Sequence, residues 1–216
     1  MESEKVNIQG LRNVLDTMDK ERTQLVFFSS DYIFDGVNGP YSEEDKPNPL
    51  CVYGKHKLMA EGLIKDRLKN YLIIRTTWAY GPEQKGKNFV LSLLRRLKDG
   101  EKVKVPLDQI GSPTYSENLA EAIEELVDKG KKGIYNIVGS ELVDRYSFAR
   151  EICNVFGFPE SMLVPVPTQE LGQKAKRPLR GGLKTDKVEN EISTRLLGYK
   201  DGLILMKKNI DKIYSM

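Results

Sequence analysis

"QLVFFSS" (24–30) and "YLIIRT" (71–76) are the two stretches on which the fold of this chain turns. Each is an apolar run of strand length, too short for an ordinary helix. Neither alternates with polar residues, which predicts strands buried on both faces. Before the first run, Leu11, Val14, Leu15 and Met18 share one helical face. Between the two, a polar Gly/Pro-rich loop, "DGVNGPYSEEDKPNPL" (35–50), leads into a helix from residue 53 to about 68. After the second, Phe89, Val90, Leu93, Leu94 and Leu97 form another amphipathic face, stopped by Gly100. "SENLAEAIEELVDKG" (116–130) reads as a helix with Ser116 as its N-cap and a terminal glycine. "GIYNIVG" (133–139) is a third strand and "DRYSFAREICNVFG" (144–157) a capped helix. Strands alternating with helices predict an α/β fold with a parallel sheet covered on both faces.

In such sheets ligands sit outside the carboxyl ends of the strands. Two of those ends carry functional groups: Ser29, Ser30 and Asp31 after the first strand, and Arg75 to Tyr80 after the second. A third segment converges there, "VYGKHK" (52–57), in which Lys57 follows Tyr53 by one helical turn. Positions i and i+4 lie about 6 Å apart on one helix face. A cation so placed favours the phenolate; lowering a tyrosine pKa from near 10 to about 7 takes roughly 4 kcal/mol. Such a phenol is a proton donor matched to neutral pH. The bland alternative is a solvated lysine beside a half-buried tyrosine, but of the ten tyrosines only Tyr53 has a lysine at this spacing.

Composition narrows the rest. A net charge of +3 with 30% charged residues describes a mixed surface and no nucleic-acid binder. The densest basic stretch, "KAKRPLRGGLK" (174–184), is either a solvated loop or a clamp on one small anion. Cys51 and Cys153 have neither metal nor disulfide spacing, which fits reduced thiols in a cytoplasm. The single histidine, His56, leaves little basis for a nucleophile triad or a zinc site and is expected on the surface, away from the Tyr53/Lys57 stripe. No apolar run reaches transmembrane length, and "MESEKVNIQG" is not a signal peptide, so a cytoplasmic protein with no membrane partner is expected.

"SSDYIFDG" (29–36), "VYGKHKLMAE" (52–61), "IIRTTWAYG" (73–81), "NFV" (88–90) and "DQIGSPTYSENLA" (108–120), in that order, give the chain a family resemblance. It resembles the extended short-chain dehydrogenases/reductases and, within them, the dTDP-4-dehydrorhamnose reductase family, over nearly its whole length to "KRPLRGGL" (176–183). A Tyr-x-x-x-Lys alone is weak, but five ordered blocks are specific. The resemblance implies the carboxyl-terminal strands of a Rossmann-like doubly wound parallel sheet, with a smaller α/β substrate-binding part. Residues 1–105 would hold the Rossmann-like half and 106–216 mainly the substrate part, interleaved at the boundary. The implied activity is NADPH- or NADH-dependent reduction of a 4-keto-6-deoxysugar nucleotide.

By the same resemblance Tyr53 is the general acid, Lys57 lowers its pKa and reaches the nicotinamide ribose, and Ser30 polarises the substrate carbonyl. Ser29, Ser30, Tyr53, Lys57 and Thr76 would face the cofactor, with no metal ion involved. Asp31, Trp78, Asn88, Gln109, Ser112, Thr114 and Arg177 would face the substrate. Trp78 would lie flat against the deoxysugar, and Arg177 would hold the diphosphate. Tyr32, directly after Asp31, stands where sugar-nucleotide dehydratases carry an acid, which disfavours dehydration. Epimerases share the Ser-Tyr-Lys set but lack the "DQxGxPT" loop. A non-catalytic alternative is a regulatory protein similar to the methionine adenosyltransferase beta subunit.

One family element is missing. The glycine-rich turn that cradles the cofactor pyrophosphate has no counterpart here; "GVNG" (36–39) opens no helix and is followed by Pro40. Aligned on the family, about 70 residues carrying the first strands are expected ahead of Met1. The 216-residue chain alone is therefore expected to bind NADH and NADPH weakly, to turn over poorly if at all, and to self-associate along the edge of "QLVFFSS".

Overall fold

Leu72, Ile73 and Ile74 are wholly buried and lie in the central strand of a three-stranded parallel sheet. Burying each contributes about 1.5–3 kcal/mol, which is why this run is apolar on both faces. The computed structural model describes residues 2–214. In chain order, α1 (Glu2–Glu4) passes through a π-helical turn (Lys5–Gln9) into α2 (Gly10–Thr17). Next come β1 (Leu25–Ser30), α3 (Val52–Arg67), β2 (Tyr71–Thr76), β3 (Ala79–Tyr80) and α4 (Phe89–Lys98). Then follow β4 (Val103–Pro106), β5 (Ile110–Gly111), β6 (Thr114–Tyr115), α5 (Ser116–Asp128) and β7 (Gly133–Asn136). The last elements are β8 (Val143–Asp144), α6 (Arg145–Phe156), β9 (Leu163–Val166), α7 (Asp186–Glu189) and α8 (Tyr199–Tyr214).

The main sheet has the order β1-β2-β7, all parallel, with Leu25 opposite Tyr71 and Ser30 opposite Thr76. That register brings the carboxyl ends of β1 and β2 to one level, so the polar residues after each share a rim. Helices α2 and α3 cover one face through Leu11, Leu15, Ala60 and Ile64; α5 covers the other through Leu119, Ala122 and Leu126. β1 pairs with β2 alone among the described strands, and its residues are less covered, with Phe28 49% exposed. A second core surrounds Phe148 of α6 and gathers α4, β4, β9 and α8. Its parallel β4–β9 pair, Val103 opposite Leu163, was illegible beforehand because Pro106 and Pro165 mark irregular chain.

Several local expectations are corrected. Ser116 is the first helical residue of α5 and makes no side-chain cap; Tyr115 holds the N-cap position. The third strand ends at Asn136, although Ile137 still donates its N–H to the Arg75 carbonyl. Val14 is exposed: Ile8, Leu11 and Leu15 carry the buried stripe, and Val14 falls at its edge on the far side of Leu11. His56 is buried, not on the surface: the amino-terminal segment covers α3, and Ser3 Oγ lies 2.9 Å from its Nδ1. No helix among the described residues is long and apolar enough to cross a membrane.

Candidate active site

The rim where β1 and β2 end is anchored by a buried ion pair. Arg75 donates from Nε and Nη2 to both oxygens of Glu61, at 3.0 and 2.8 Å, with side chains 3% and 0% exposed. The planar guanidinium matches a carboxylate two bonds at a time. Ser29 Oγ donates to Glu61 at 2.6 Å, and Arg75 Nη1 reaches the Glu43 carbonyl at 3.0 Å. The Glu61–Arg75 pair thus ties β1, α3 and β2 together, and Arg75 links them to the loop at Glu43. Gly54 completes the seat of α3: a Cβ there would stand 2.0 Å from the Tyr32 carbonyl oxygen, so only glycine lets the helix approach.

With α3 so placed, Ser30, Asp31, Tyr53, Lys57, Thr76 and Trp78 line one cavity of about 490 Å³. Arg145 and Arg177 close it, with Tyr32, Thr77 and Phe89 beside them. Ser30 Oγ donates to Asp31 Oδ1 at 3.2 Å and accepts the Tyr32 N–H. Burial pushes the Asp31 carboxyl up to about 6, against the opposing pull of the Ser30 hydrogen bond and the Arg145 charge. Thr76 Oγ1 is buried and has no hydrogen-bond partner among the described residues.

The Tyr53–Lys57 pair departs from expectation. Burial raises the Tyr53 pKa above its ordinary value, with the Ser30 hydroxyl working the other way, and Lys57 does not hold it down. Instead, Lys57 Nζ donates to the Phe28 carbonyl at 2.8 Å and sits 4.7 Å from the Phe27 ring centroid and 5.8 Å from that of Tyr53. Burial lowers the Lys57 pKa in turn. The ammonium gives its hydrogen bond to the strand and not to the phenol, and burial outweighs its charge at Tyr53.

The other expected contacts divide. Ser29 borders the cavity, but its hydroxyl is committed to Glu61. Arg177 lines the cavity and donates to Tyr32 Oη at 2.8 Å. Asn88 does not reach this cavity: its Oδ1 caps α4 by accepting the Leu91 N–H, and its amide donates to Gly81 and Glu83. Ser112 and Thr114 are buried and do not line this cavity, and Thr114 Oγ1 donates to the Thr77 and Ser112 carbonyls. Gln109 is buried, donates to Thr168 Oγ1 at 3.0 Å, and borders a neighbouring cavity.

Trp78 lines the site, but one face of its indole is taken. The Arg145 guanidinium lies 3.4 Å from the ring centroid, and Gly111 packs so close that a Cβ would stand 2.8 Å from Cε2. Trp78 is also the one non-glycine residue with positive φ, 45°, among the described residues. Such backbone outliers gather at functional sites.

Arg145 was missed by sequence reasoning. The available signal was electrostatic: it opens α6, and a cation in the first turn opposes the helix dipole. Tyr32 and Phe89 were also missed as lining residues, since each reads locally as an ordinary packing aromatic.

A family model described as the RmlD substrate binding domain matches residues 1–211. The spore coat polysaccharide biosynthesis protein SpsK of Bacillus subtilis is 39% identical over 174 residues, covering 79% of this chain and 60% of that protein. A dTDP-4-dehydrorhamnose reductase of Aggregatibacter actinomycetemcomitans is 34% identical over 197 residues, covering 85% of this chain and 66% of that one. Methionine adenosyltransferase 2 subunit beta of Danio rerio is 32% identical over 172 residues, covering 76% and 53%. The crystal structure of dTDP-4-dehydrorhamnose reductase from Bacillus anthracis in complex with NADP superimposes with a TM-score of 0.87 at 30% identity, covering 94% of this chain and 72% of that one. The chain therefore spans less than two thirds of the length of the first two relatives.

Proposed function

The chain belongs to the RmlD substrate binding domain family, and on that premise we propose that it carries the proton-transfer side chains and substrate half of a reductase for a 4-keto-6-deoxysugar nucleotide. The supporting observation is the convergence of Ser30, Tyr53, Lys57 and Thr76 on one cavity at the carboxyl ends of adjacent parallel strands. A nicotinamide cofactor, NADPH or NADH, would supply the hydride when bound. The residues present fit its nicotinamide end: Thr76 offers a buried hydroxyl without a partner among the described residues, and Lys57 offers an ammonium toward ribose hydroxyls.

Ser30 Oγ turns its proton from Asp31 to the substrate carbonyl oxygen, polarising the carbon. Tyr53 then gives its phenolic proton to the alkoxide oxygen. A raised pKa keeps this phenol protonated at neutral pH, and a secondary alkoxide is a far stronger base than phenolate, so the transfer stays downhill. Lys57 holds the ribose and steadies the phenolate left behind. Arg177, tethered to Tyr32, is the proposed contact for the substrate diphosphate.

The test is nicotinamide oxidation by a dTDP-4-keto-6-deoxysugar at millimolar cofactor. Tyr53→Phe is expected to lower turnover about a hundredfold; a rate within a few-fold of wild type removes Tyr53 as the acid. Binding of the sugar nucleotide with no turnover at any cofactor concentration favours a non-catalytic role, for which the similarity to methionine adenosyltransferase 2 subunit beta speaks.

A further inference from the structure

Asp31 is a buried carboxyl to which the reduction step gives no part of its own. It is 4% exposed and borders the first cavity beside Ser30, whose Oγ donates to its Oδ1 at 3.2 Å. Its other oxygen, Oδ2, packs on the backbone of Gly181, where a Cβ would stand 3.0 Å away. The ionisable groups that face it are Arg145 of α6, Tyr53 of α3 and Tyr32, the next residue, whose hydroxyl Arg177 holds. Lys57 lines the same cavity but gives its hydrogen bond to the Phe28 carbonyl. Burial favours the neutral acid and prevails over the Thr77 and Ser30 hydroxyls and the Arg145 charge, which puts the carboxyl at about 6. Both protonation states are therefore populated near neutral pH.

The hydrogen-bonding capacity of Ser30 decides what that proton changes. A serine hydroxyl has one proton to give and two lone pairs. One lone pair takes the Tyr32 N–H at 3.2 Å. A carboxylate only accepts, so an ionised Asp31 takes the Ser30 proton and leaves the second lone pair facing the cavity. Tyr53 shares that side, close enough for the Ser30 hydroxyl to act on its pKa, and its phenolic proton is drawn to that lone pair. Neither donor then faces a ketone. A protonated Asp31 donates instead and fills the second lone pair. The Ser30 proton is then left only the cavity to point into, and Tyr53 has no acceptor on Ser30.

We propose that Asp31 is a positioning residue whose protonation turns the Ser30 and Tyr53 donors toward the substrate carbonyl. The inference rests on the reductase reading above and deepens it. Asp31 keeps its own proton throughout: the proton that reaches the alkoxide oxygen comes from Tyr53, and the hydride from the cofactor. A ligand that expels water from the cavity deepens the burial of Asp31, so binding at neutral pH takes up a proton.

The experiment is the pH profile of kcat/KM for a dTDP-4-keto-6-deoxysugar, at millimolar cofactor, in wild type, Asp31→Asn and Ser30→Ala. This profile reports the free enzyme, so the wild-type value is expected to fall about fiftyfold between pH 6 and pH 8. Asp31→Asn has no carboxyl proton to lose, and its values at the two pH extremes are expected to agree within about twofold. Ser30→Ala is expected to be slower and to lose the fall as well. A fall that survives Asp31→Asn overturns the inference; one that survives Ser30→Ala means that Asp31 acts on the ligand directly, and overturns it too. Two readouts need no turnover. Carbon-13 NMR of the unliganded chain should show the Asp31 carboxyl titrating at about 6, and titration at the ordinary 3.8 overturns the inference. Calorimetry of the sugar nucleotide at pH 7, in buffers of unequal ionisation heat, should show a proton uptake that Asp31→Asn abolishes; equal uptake in both overturns it. Proton uptake through Asp31 with no reduction of the keto sugar keeps the Asp31 assignment and loses the reductase reading.

Discussion

Removing the Arg75 guanidinium tests whether one buried ion pair holds the site together. Arg75→Met leaves the Glu61 carboxylate, 0% exposed, with the Ser29 hydroxyl as its remaining partner. Breaking one side of a buried pair costs about 3–5 kcal/mol, because the other charge stays buried and uncompensated. For a chain of this size each kcal/mol is worth about 2–4 °C, so the melting temperature should fall by roughly 6–20 °C. The double variant Arg75→Met/Glu61→Leu removes both charges and should recover most of the loss. It should remain about 1–3 kcal/mol below wild type, since the Glu43 carbonyl and Ser29 hydroxyl lose partners. Urea denaturation of wild type, both singles and the double gives the cycle. A double variant as unstable as the worse single refutes the reasoning, because the stability would then reside in packing and not in charge compensation.

Asp31→Asn should stabilise the chain at neutral pH. The folded carboxyl is raised from 3.8 to about 6, so the folded state holds its proton more tightly and wild-type stability falls as pH climbs through that window. The shift corresponds to about 3 kcal/mol at pH 7; denaturation at several pH values should show the variant's advantage vanish below about pH 4, and a pH-independent difference sinks the account. Gly54→Ala sets a Cβ 2.0 Å from the Tyr32 carbonyl, which should cost about 1–3 kcal/mol and displace Tyr53; an unchanged melting curve would mean α3 is free to shift. The outer edge of β1, with Phe28 half exposed, should recruit a second copy, so sedimentation should depend on concentration; an invariant monomer contradicts this. No glycine-rich turn joins a strand to a helix among the described residues, so NADPH and NADH should bind in the millimolar range; calorimetry showing micromolar affinity would place the pyrophosphate elsewhere.

Much of the site was readable because its parts are local. Ser30 and Asp31 end an apolar run, and Tyr53 and Lys57 share one helix face, so their meeting at a sheet rim follows from strand–helix alternation. Departures arise wherever a side chain's fate depends on a distant partner. Thr114 reads as a polar loop residue, yet its hydroxyl is spent on the Thr77 carbonyl. His56 reads as exposed on its own helix, yet the amino-terminal segment buries it.

The sequence alone determined the main alternation of strands and helices, the parallel sheet and which candidate polar residues end its strands, because hydrophobic period and helical spacing are written within a few neighbouring residues. Tertiary structure alone decided where the charges point. Lys57 turns to the Phe28 carbonyl and not to the phenol, Arg75 to Glu61, and Arg145 onto Trp78. Each of these choices sets the cost of burying a cation against the partner that packing brings within reach. That partner comes from another element of the fold, and no spacing along the chain encodes it.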